Sequence, residues 1–261
     1  MHSALWVAKT GLSAMDRQLS VISNNLANVS TTAFKKDRAV FENLMYQTLR
    51  APGGLSAQNT ELPSGLQIGA GVRVTGTQKN FSEGDYNVTD RQLDVAIQGA
   101  GFFQILQPDG SIAYTRDGSF QLNSDGDIVD SSGMLLEPNI TIDPDVVEIT
   151  IGDDGVVSVL RAGETDTEEV GAINTVNFIN PAGLNFLGGN LYQQTTASGD
   201  PIVGVPGEDG LGSVSQGMLE ASNVNSIEEL VNMITTQRAY EMNSKVISTA
   251  DGMLSFVNQQ L

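Results

Sequence analysis

Glycine and proline are segregated along this chain, and that segregation limits its fold more sharply than any other feature. All 8 prolines and 25 of the 28 glycines fall between residues 51 and 214, leaving only Gly11, Gly217 and Gly252 outside. Proline breaks a helix interior and glycine weakens one by about 1 kcal/mol, so the two ends can form long helices while the middle must turn often. Charge divides at the same places. Residues 1–50 carry 6 basic and 3 acidic side chains, residues 51–214 carry 5 and 23, and residues 215–261 carry 2 and 5. The net charge of −18 therefore belongs to the turn-rich middle, and the two ends have opposite signs.

Near the N-terminus, apolar residues at Leu5, Ala8, Leu12, Met15, Leu19, Ile22, Leu26 and Val29 alternate intervals of three and four, the pattern of a coiled-coil seam. Towards the C-terminus, Ser226-Ile-Glu-Glu229 has the form of a capping box and opens a helix of roughly 30 residues by pattern length. Along it Met233, Tyr240, Ile247 and Leu254 recur at sevens, with Leu230, Ile234, Ala250 and Val257 beside them. Such stripes pack either on the chain's own middle domain or on other copies. Two details favour assembly. Asn24, Asn25 and Asn28 in the first segment, and Asn223, Asn225, Asn232 and Asn243 in the last, are poor helix formers whose amides can fix register between helices. Both stripes also lie at chain ends, which in monomeric domains usually fray.

The middle reads as β structure. Val72–Val74 and Leu93–Ile97 alternate, and Gly101-Phe-Phe-Gln-Ile-Leu106 opens a run of short strands with turns at Asp109-Gly110, Asp117-Gly118, Asp125-Gly126 and Ser132-Gly133. The eight-residue spacing of the Asp-Gly pairs predicts an antiparallel meander. Strands are also expected at 146–151, 156–160 and 173–179, while 184–212 gives no clear pattern. The expected class is α+β: N- and C-terminal helices paired as a coiled-coil-like helical domain, with an inserted all-β middle domain. The expected boundaries are 1–45 for the first helix, 46–92 for an extended linker or β arm, 93–214 for the β-rich domain and 215–261 for the second helix.

Most catalytic chemistry lacks its raw material. There is no cysteine and one histidine, His2, so thiol nucleophiles, Cys/His zinc sites and Ser-His-Asp triads are excluded. The closest approach to a calcium loop, Asn123-Ser-Asp125-Gly-Asp127, has Ile128 and Met134 where the loop needs glycine and glutamate, and reads as a capped turn. Gly99-Ala-Gly101 lacks the third glycine of a dinucleotide site, Gln104 standing there, and reads as close strand packing. A glycosidase would need sugar-stacking aromatics near its acids, and the one tryptophan, Trp6, lies on the N-terminal helix. Lys35-Lys36-Asp-Arg38 reads as a solvated helix end or a partner for nearby acids. No catalytic, cofactor or metal residue is expected, and the acidic balance argues against nucleic acid as a partner. The sequence shows neither a membrane span nor a cleaved export signal, because Lys9 interrupts the first apolar run.

Asn24-Asn-Leu-Ala-Asn-Val-Ser-Thr-Thr-Ala-Phe-Lys35 resembles the signature of bacterial flagellar rod and hook proteins, with Ala33 where the family usually has glycine. The block Glu220–Lys245 looks like the family's C-terminal block, and Leu93–Phe103 and Ala113–Phe120 are similar to its β-domain core. The segments 51–55 and 62–72, together with the chain length, point to a rod member and away from the longer hook protein. The resemblance implies a structural subunit that stacks helically with copies of itself into the hollow distal part of the rod, a drive shaft carrying torque from motor to hook. A proximal rod protein of the same family, or a secreted β-domain binding module, is the alternative. In this family the terminal helices form an inner tube and the β domain an outer wall. The implied assembly residues are Leu5, Leu12, Met15, Leu19, Ile22, Asn24, Asn25, Leu26 and Asn28, with Leu230, Met233, Ile234, Tyr240, Ile247 and Leu254 on the second helix. The implied partners are proximal rod proteins, the hook protein, the surrounding P- and L-ring proteins and the flagellar export apparatus. No cofactor and no lipid insertion are implied.

Overall fold

A computed structural model describes residues 2–51, 55–57, 60–61, 64–163 and 166–260. Parts of the predicted linker, 52–54, 58–59 and 62–63, and the Val257 side chain lie outside the described residues. The architecture is α+β, with one long helix at each end and a β-rich middle. Backbone proximity divides the chain into two compact units, one made of 1–27, 37–79 and 225–261, the other of 28–36 and 80–224.

The first unit contains both helices, α1 (His2–Ala27) and α2 (Ser226–Gln260), packed against each other. Ala4 lines a groove with Met242–Met253 residues while Gly11 faces Asn243, so the helices run antiparallel. Gly11 lies inside α1 despite its cost because a methyl there would come within 3.3 Å of the Asn243 amide. The predicted seam runs on to Val29, but the helix ends at Ala27. At the other helix the cap is one residue earlier than the capping-box reading had it. The Asn225 Oδ1 accepts the Ile227 and Glu228 N–H groups at 3.0 and 3.2 Å, and Ser226 is already helical.

A two-stranded antiparallel ribbon in the same unit pairs Asp37–Asn43 with Val72–Lys79, from Asp37 opposite Lys79 to Asn43 opposite Val72. Asn25 pins its start, donating to the Asp37 carbonyl and accepting the Asp37 N–H, both at 2.9 Å. Lys79 Nζ closes on Asp37 Oδ2 at 3.0 Å.

The second unit is built on a nine-stranded sheet. Its main path runs through Gln121–Leu122, Ile128–Val129, Leu135–Glu137, Phe102–Leu106, Ile112–Thr115, Leu191–Gln193 and Asn185–Gly188, with Thr175–Asn177 and Ile202–Gly204 joining beside Phe102–Leu106. A three-stranded sheet of Val146–Ile151, Val156–Arg161 and Glu168–Ala172 supplies the other side of the core. The period-two rule partitions the central strand: Phe103 and Ile105 enter the aliphatic core, and Phe102 turns the other way. There its ring meets Phe81, Tyr192 and Phe178 edge-on at 5.5, 5.6 and 5.9 Å.

The meander expectation needs one correction. The turns at Asp109-Gly110, Asp125-Gly126 and Ser132-Gly133 join paired strands, but Asp117-Gly118 does not, because Ile112–Thr115 pairs with Leu191–Gln193 on its far side. Gly118 instead lies directly under the Val95 carbonyl. The unpatterned stretch 184–212 supplies three strands of the main sheet.

Ala33 adopts φ +54, the left-handed conformation that glycine would take without strain, and it is buried. Ala33→Val is therefore expected to destabilise this unit by about 2 kcal/mol, since a β-branched residue fits that region worst. Ala33→Gly is expected to stay within about 1 kcal/mol of the parent. Urea unfolding followed by near-UV circular dichroism compares them; a Val variant as stable as the Gly variant would refute the assignment of strain.

Of the two readings of the basic cluster, partnership with an acid is the one Lys35 follows. Lys35 has 0% exposure, and its Nζ donates to Glu220 Oε1 at 2.6 Å and to the Ser82 carbonyl at 2.7 Å. Glu220 Oε1 also accepts the Gly84 N–H at 2.9 Å, and its Oε2 accepts Arg116 Nε at 3.0 Å. Arg116 Nη1 donates to the carbonyls of Gly99 and Gly101, each at 2.8 Å, which gives the Gly-Ala-Gly turn its use. Burial alone would push the Glu220 carboxyl up, but the charges of Arg116 and Lys35 and the hydrogen bonds outweigh it and hold it below its ordinary 4.5. In acid the unfolded chain then binds more protons than the folded one, so the stability Glu220 contributes above the ordinary glutamate range is lost as pH falls through its lowered value. The β-rich unit is expected to lose denaturant resistance on acidification from neutral pH, and an unchanged urea midpoint would contradict this.

Candidate functional site

No described group of three or more His, Cys, Asp or Glu side chains is placed to hold a metal ion. Asn123 Oδ1 accepts the N–H groups of Asp125 and Asp127 at 2.8 and 2.9 Å, so the calcium-like sequence is a side-chain-capped turn. The residues singled out for assembly lie in or next to the helical unit, and the structure sorts them into an inner and an outer set.

On α1, Ile22 and Asn25 are buried along with Ala8 and Ala14. Leu5, Leu12, Met15, Leu19 and Leu26 are half-buried, and Asn24 is exposed. Asn28 follows the helix, its Oδ1 accepting the Thr31 hydroxyl at 3.1 Å. The Asn25 amide is committed within the chain, to Asp37, so register between copies is not its task. On α2 the inward line is buried at Glu229 and Thr236 and half-buried at Asn232, Met233, Ala239, Asn243, Ile247, Ala250 and Leu254. Apart from the adjacent Asn232 and Met233, the intervals of three and four match a seam, but three of its first four residues, Glu229, Asn232 and Thr236, are polar.

Leu230, Ile234 and Tyr240 are exposed. Ile234 belongs to a second line the sequence reading missed, formed by Ile227, Val231, Ile234, Met242, Val246, Met253 and Phe256, with Arg238 and Thr249 in register. At 100° per residue Ile227, Val231, Ile234 and Phe256 of this line fall on the helix face away from Thr236 and Asn243, whereas its Met242, Val246 and Met253 flank that face and line the groove shared with Ala4 of α1. Its members are far from covered: Ile234 is 57% exposed, Met242 65% and Phe256 61%. The signal is present in the sequence as apolar residues offset by one or two from the sevens, of which only Ile234 was placed, beside the stripe. A helix apolar on two opposite faces is an interior helix, yet within the described chain only one face is covered.

A structural subunit that completes its packing against other molecules is the class these features define. The sequence matches three flagellar families: "Flagella basal body rod protein" over residues 5–35, "Flagellar hook protein FlgE/F/G D1 domain" over 96–159, and "Flagellar basal body rod FlgEFG protein C-terminal" over 215–260. The chain belongs to the flagellar basal-body rod protein family; it is a structural component of the basal-body rod and not an enzyme. Its relatives within the family include rod proteins named FlgG. It is 55% identical to that of Buchnera aphidicola subsp. Schizaphis graminum, covering 99% of this chain and all of the relative. It is 46% identical to that of Borreliella burgdorferi, covering 99% and 98%, and 34% identical to the FlgF rod protein of Caulobacter vibrioides, covering 95% and 93%.

Proposed function

We propose that copies of this chain stack helically into the hollow distal rod, with α1 and α2 pairing as a coiled coil in an inner tube and the β-rich unit forming the outer wall. The observation that carries this reading is the uncovered apolar line on α2. Fully burying a side chain of that kind is worth about 1.5–3 kcal/mol, so Ile227, Val231, Ile234 and Phe256, which lie away from α1, contribute towards offsetting the cost of ordering subunits in a lattice. Leu5, Leu12, Met15, Leu19 and Ile22 with Met233, Ile247 and Leu254 hold the pair together; Leu230, Ile234 and Tyr240 face neighbouring copies. The shaft transmits torque to the hook and turns inside the P- and L-rings, and its subunits reach it through the flagellar export apparatus. A second observation supports the outer placement of the β-rich unit. Residues 28–36 and 80–224 carry 5 basic and 23 acidic side chains, whereas the helical unit is neutral by count, so helices can approach helices without net repulsion. Electron microscopy of the purified protein, concentrated from dilute solution, tests the reading: hollow helical tubes are expected, and a monodisperse monomer at every concentration, even when rod and hook partners are added, would reject it.

A further inference from the structure

The β-rich unit begins at residue 28 and ends at residue 224, and its two ends meet around one buried carboxylate. We propose that Glu220 is a closure lock, making native structure throughout this unit conditional on residues 213–220 being docked, so that a chain delivered N-terminus first stays open until its last strands arrive.

Three observations within the unit carry this. First, Glu220 is shared by two cations: Lys35 and Arg116 are both buried, at 0% and 4% exposure, and both ion-pair with this one carboxylate. Withdrawing it takes a shared ion-pair partner from two buried cations, and breaking a buried pair by removing one member is strongly destabilising. Second, the ladder is incomplete without the same segment. Val95–Gln98 enters the aliphatic core, and its strand partner is Ser213–Gln216, in register from Val95 opposite Gln216 to Gln98 opposite Ser213. Val214 is itself in that core, and Met218–Glu220 goes on to pair with Tyr86–Val88. Third, the N-terminal side of the unit is held by the C-terminal side. The Ala33 N–H donates to the Glu220 carbonyl at 2.8 Å, and Asn223 accepts the Lys36 N–H at 2.7 Å while donating to the carbonyls of Asn80 and Ser82. Lys35 and Glu220 are 185 residues apart in sequence, so nothing local can form this contact early.

A closure of this kind keeps the β-rich segment from folding while it is still being threaded. It goes beyond the assembly reading, which concerns α2, and can fail independently of it. Native-state hydrogen exchange on the full-length chain tests it. Glu220→Gln is expected to lower protection about a hundredfold or more in Phe102–Leu106, Ile112–Thr115 and Val146–Ile151 together, although the strand of residue 220 pairs with Tyr86–Val88 and not with them. The double variant Lys35→Met with Glu220→Gln removes one of the two buried cations and is expected to regain at least about tenfold of that protection, even where the single variant fails to fold. Loss confined to residues 33–36, 82–88 and 218–221, or a double variant no better protected than the single one, would overturn the lock.

Discussion

Replacing Ile234 by aspartate is expected to abolish assembly while leaving the subunit folded. In the free chain the side chain is more than half exposed on the face of α2 opposite the α1 contact, so the new carboxylate stays hydrated and subunit stability changes by no more than about 0.5 kcal/mol. In a lattice that covers this face, the same carboxylate is buried without a partner, at a cost of about 3 kcal/mol or more for every copy added. That penalty corresponds to at least a hundredfold rise in the concentration needed for assembly. Circular dichroism and thermal melting report the subunit, and sedimentation with electron microscopy reports the tubes. Arg238→Ala, in register on the same face but already polar, should change little. Tubes from Ile234→Asp at parental concentrations would show that the line is not a contact. Leu19→Asp is a different perturbation, because Leu19 is half-buried on α1 and a charge there attacks the helix unit itself.

Gly118→Ala should be the most damaging single-methyl change in the β-rich unit. A Cβ at this position would run into the backbone carbonyl of Val95 and lie 3.3 Å from the Phe103 ring. Neither can retreat: Val95 donates its own N–H to the Gly118 carbonyl at 3.0 Å, and Phe103 is fully buried against Phe120. A backbone clash of this kind costs about 3 kcal/mol or more, which for a unit of this size lowers the melting midpoint by about 6–12 °C. Gly110→Ala is the comparison. Its φ is +83 but a Cβ there meets open space, so only left-handed strain of about 1 kcal/mol is expected. Equal losses for the two variants would refute the steric account.

These two glycines also show where sequence reading stops. Asp109-Gly110 and Asp117-Gly118 are the same dipeptide eight residues apart, and a turn is the sound inference for both. Only the second is fixed by a strand well before it in the chain, at Val95, a contact that local spacing does not record. The helices, by contrast, were legible from the ends inward, because the absence of proline and the three-and-four periodicity are local properties. The strands Val146–Ile151 and Val156–Arg161 were legible for the same reason, since alternation of buried and exposed residues is written in the segment itself.

The proposed assembly surface was half legible. Periodicity identified α2 as amphipathic but did not separate its inward line, part polar at Glu229, Asn232 and Thr236, from the more apolar outward one. Hydrophobicity alone ranks those faces the wrong way round, because an apolar face can be kept for a partner outside the chain. For Lys35 the sequence left two readings open, a solvated helix end or a partner for acids, and only the second holds. In sequence it is one of a run of cations, and its burial depends on a glutamate near the other end of the chain.

Site-directed cysteine labelling in isolated basal bodies tests the central claim most directly, since the chain has no cysteine of its own. Ile234→Cys should react with a maleimide in the dilute subunit and be protected in the rod, while Ser132→Cys, in an exposed turn of the β-rich unit, reports the reagent's access. An Ile234→Cys variant that labels in the rod as fast as in the free subunit would contradict the proposal that α2 packs its outer face against neighbouring copies.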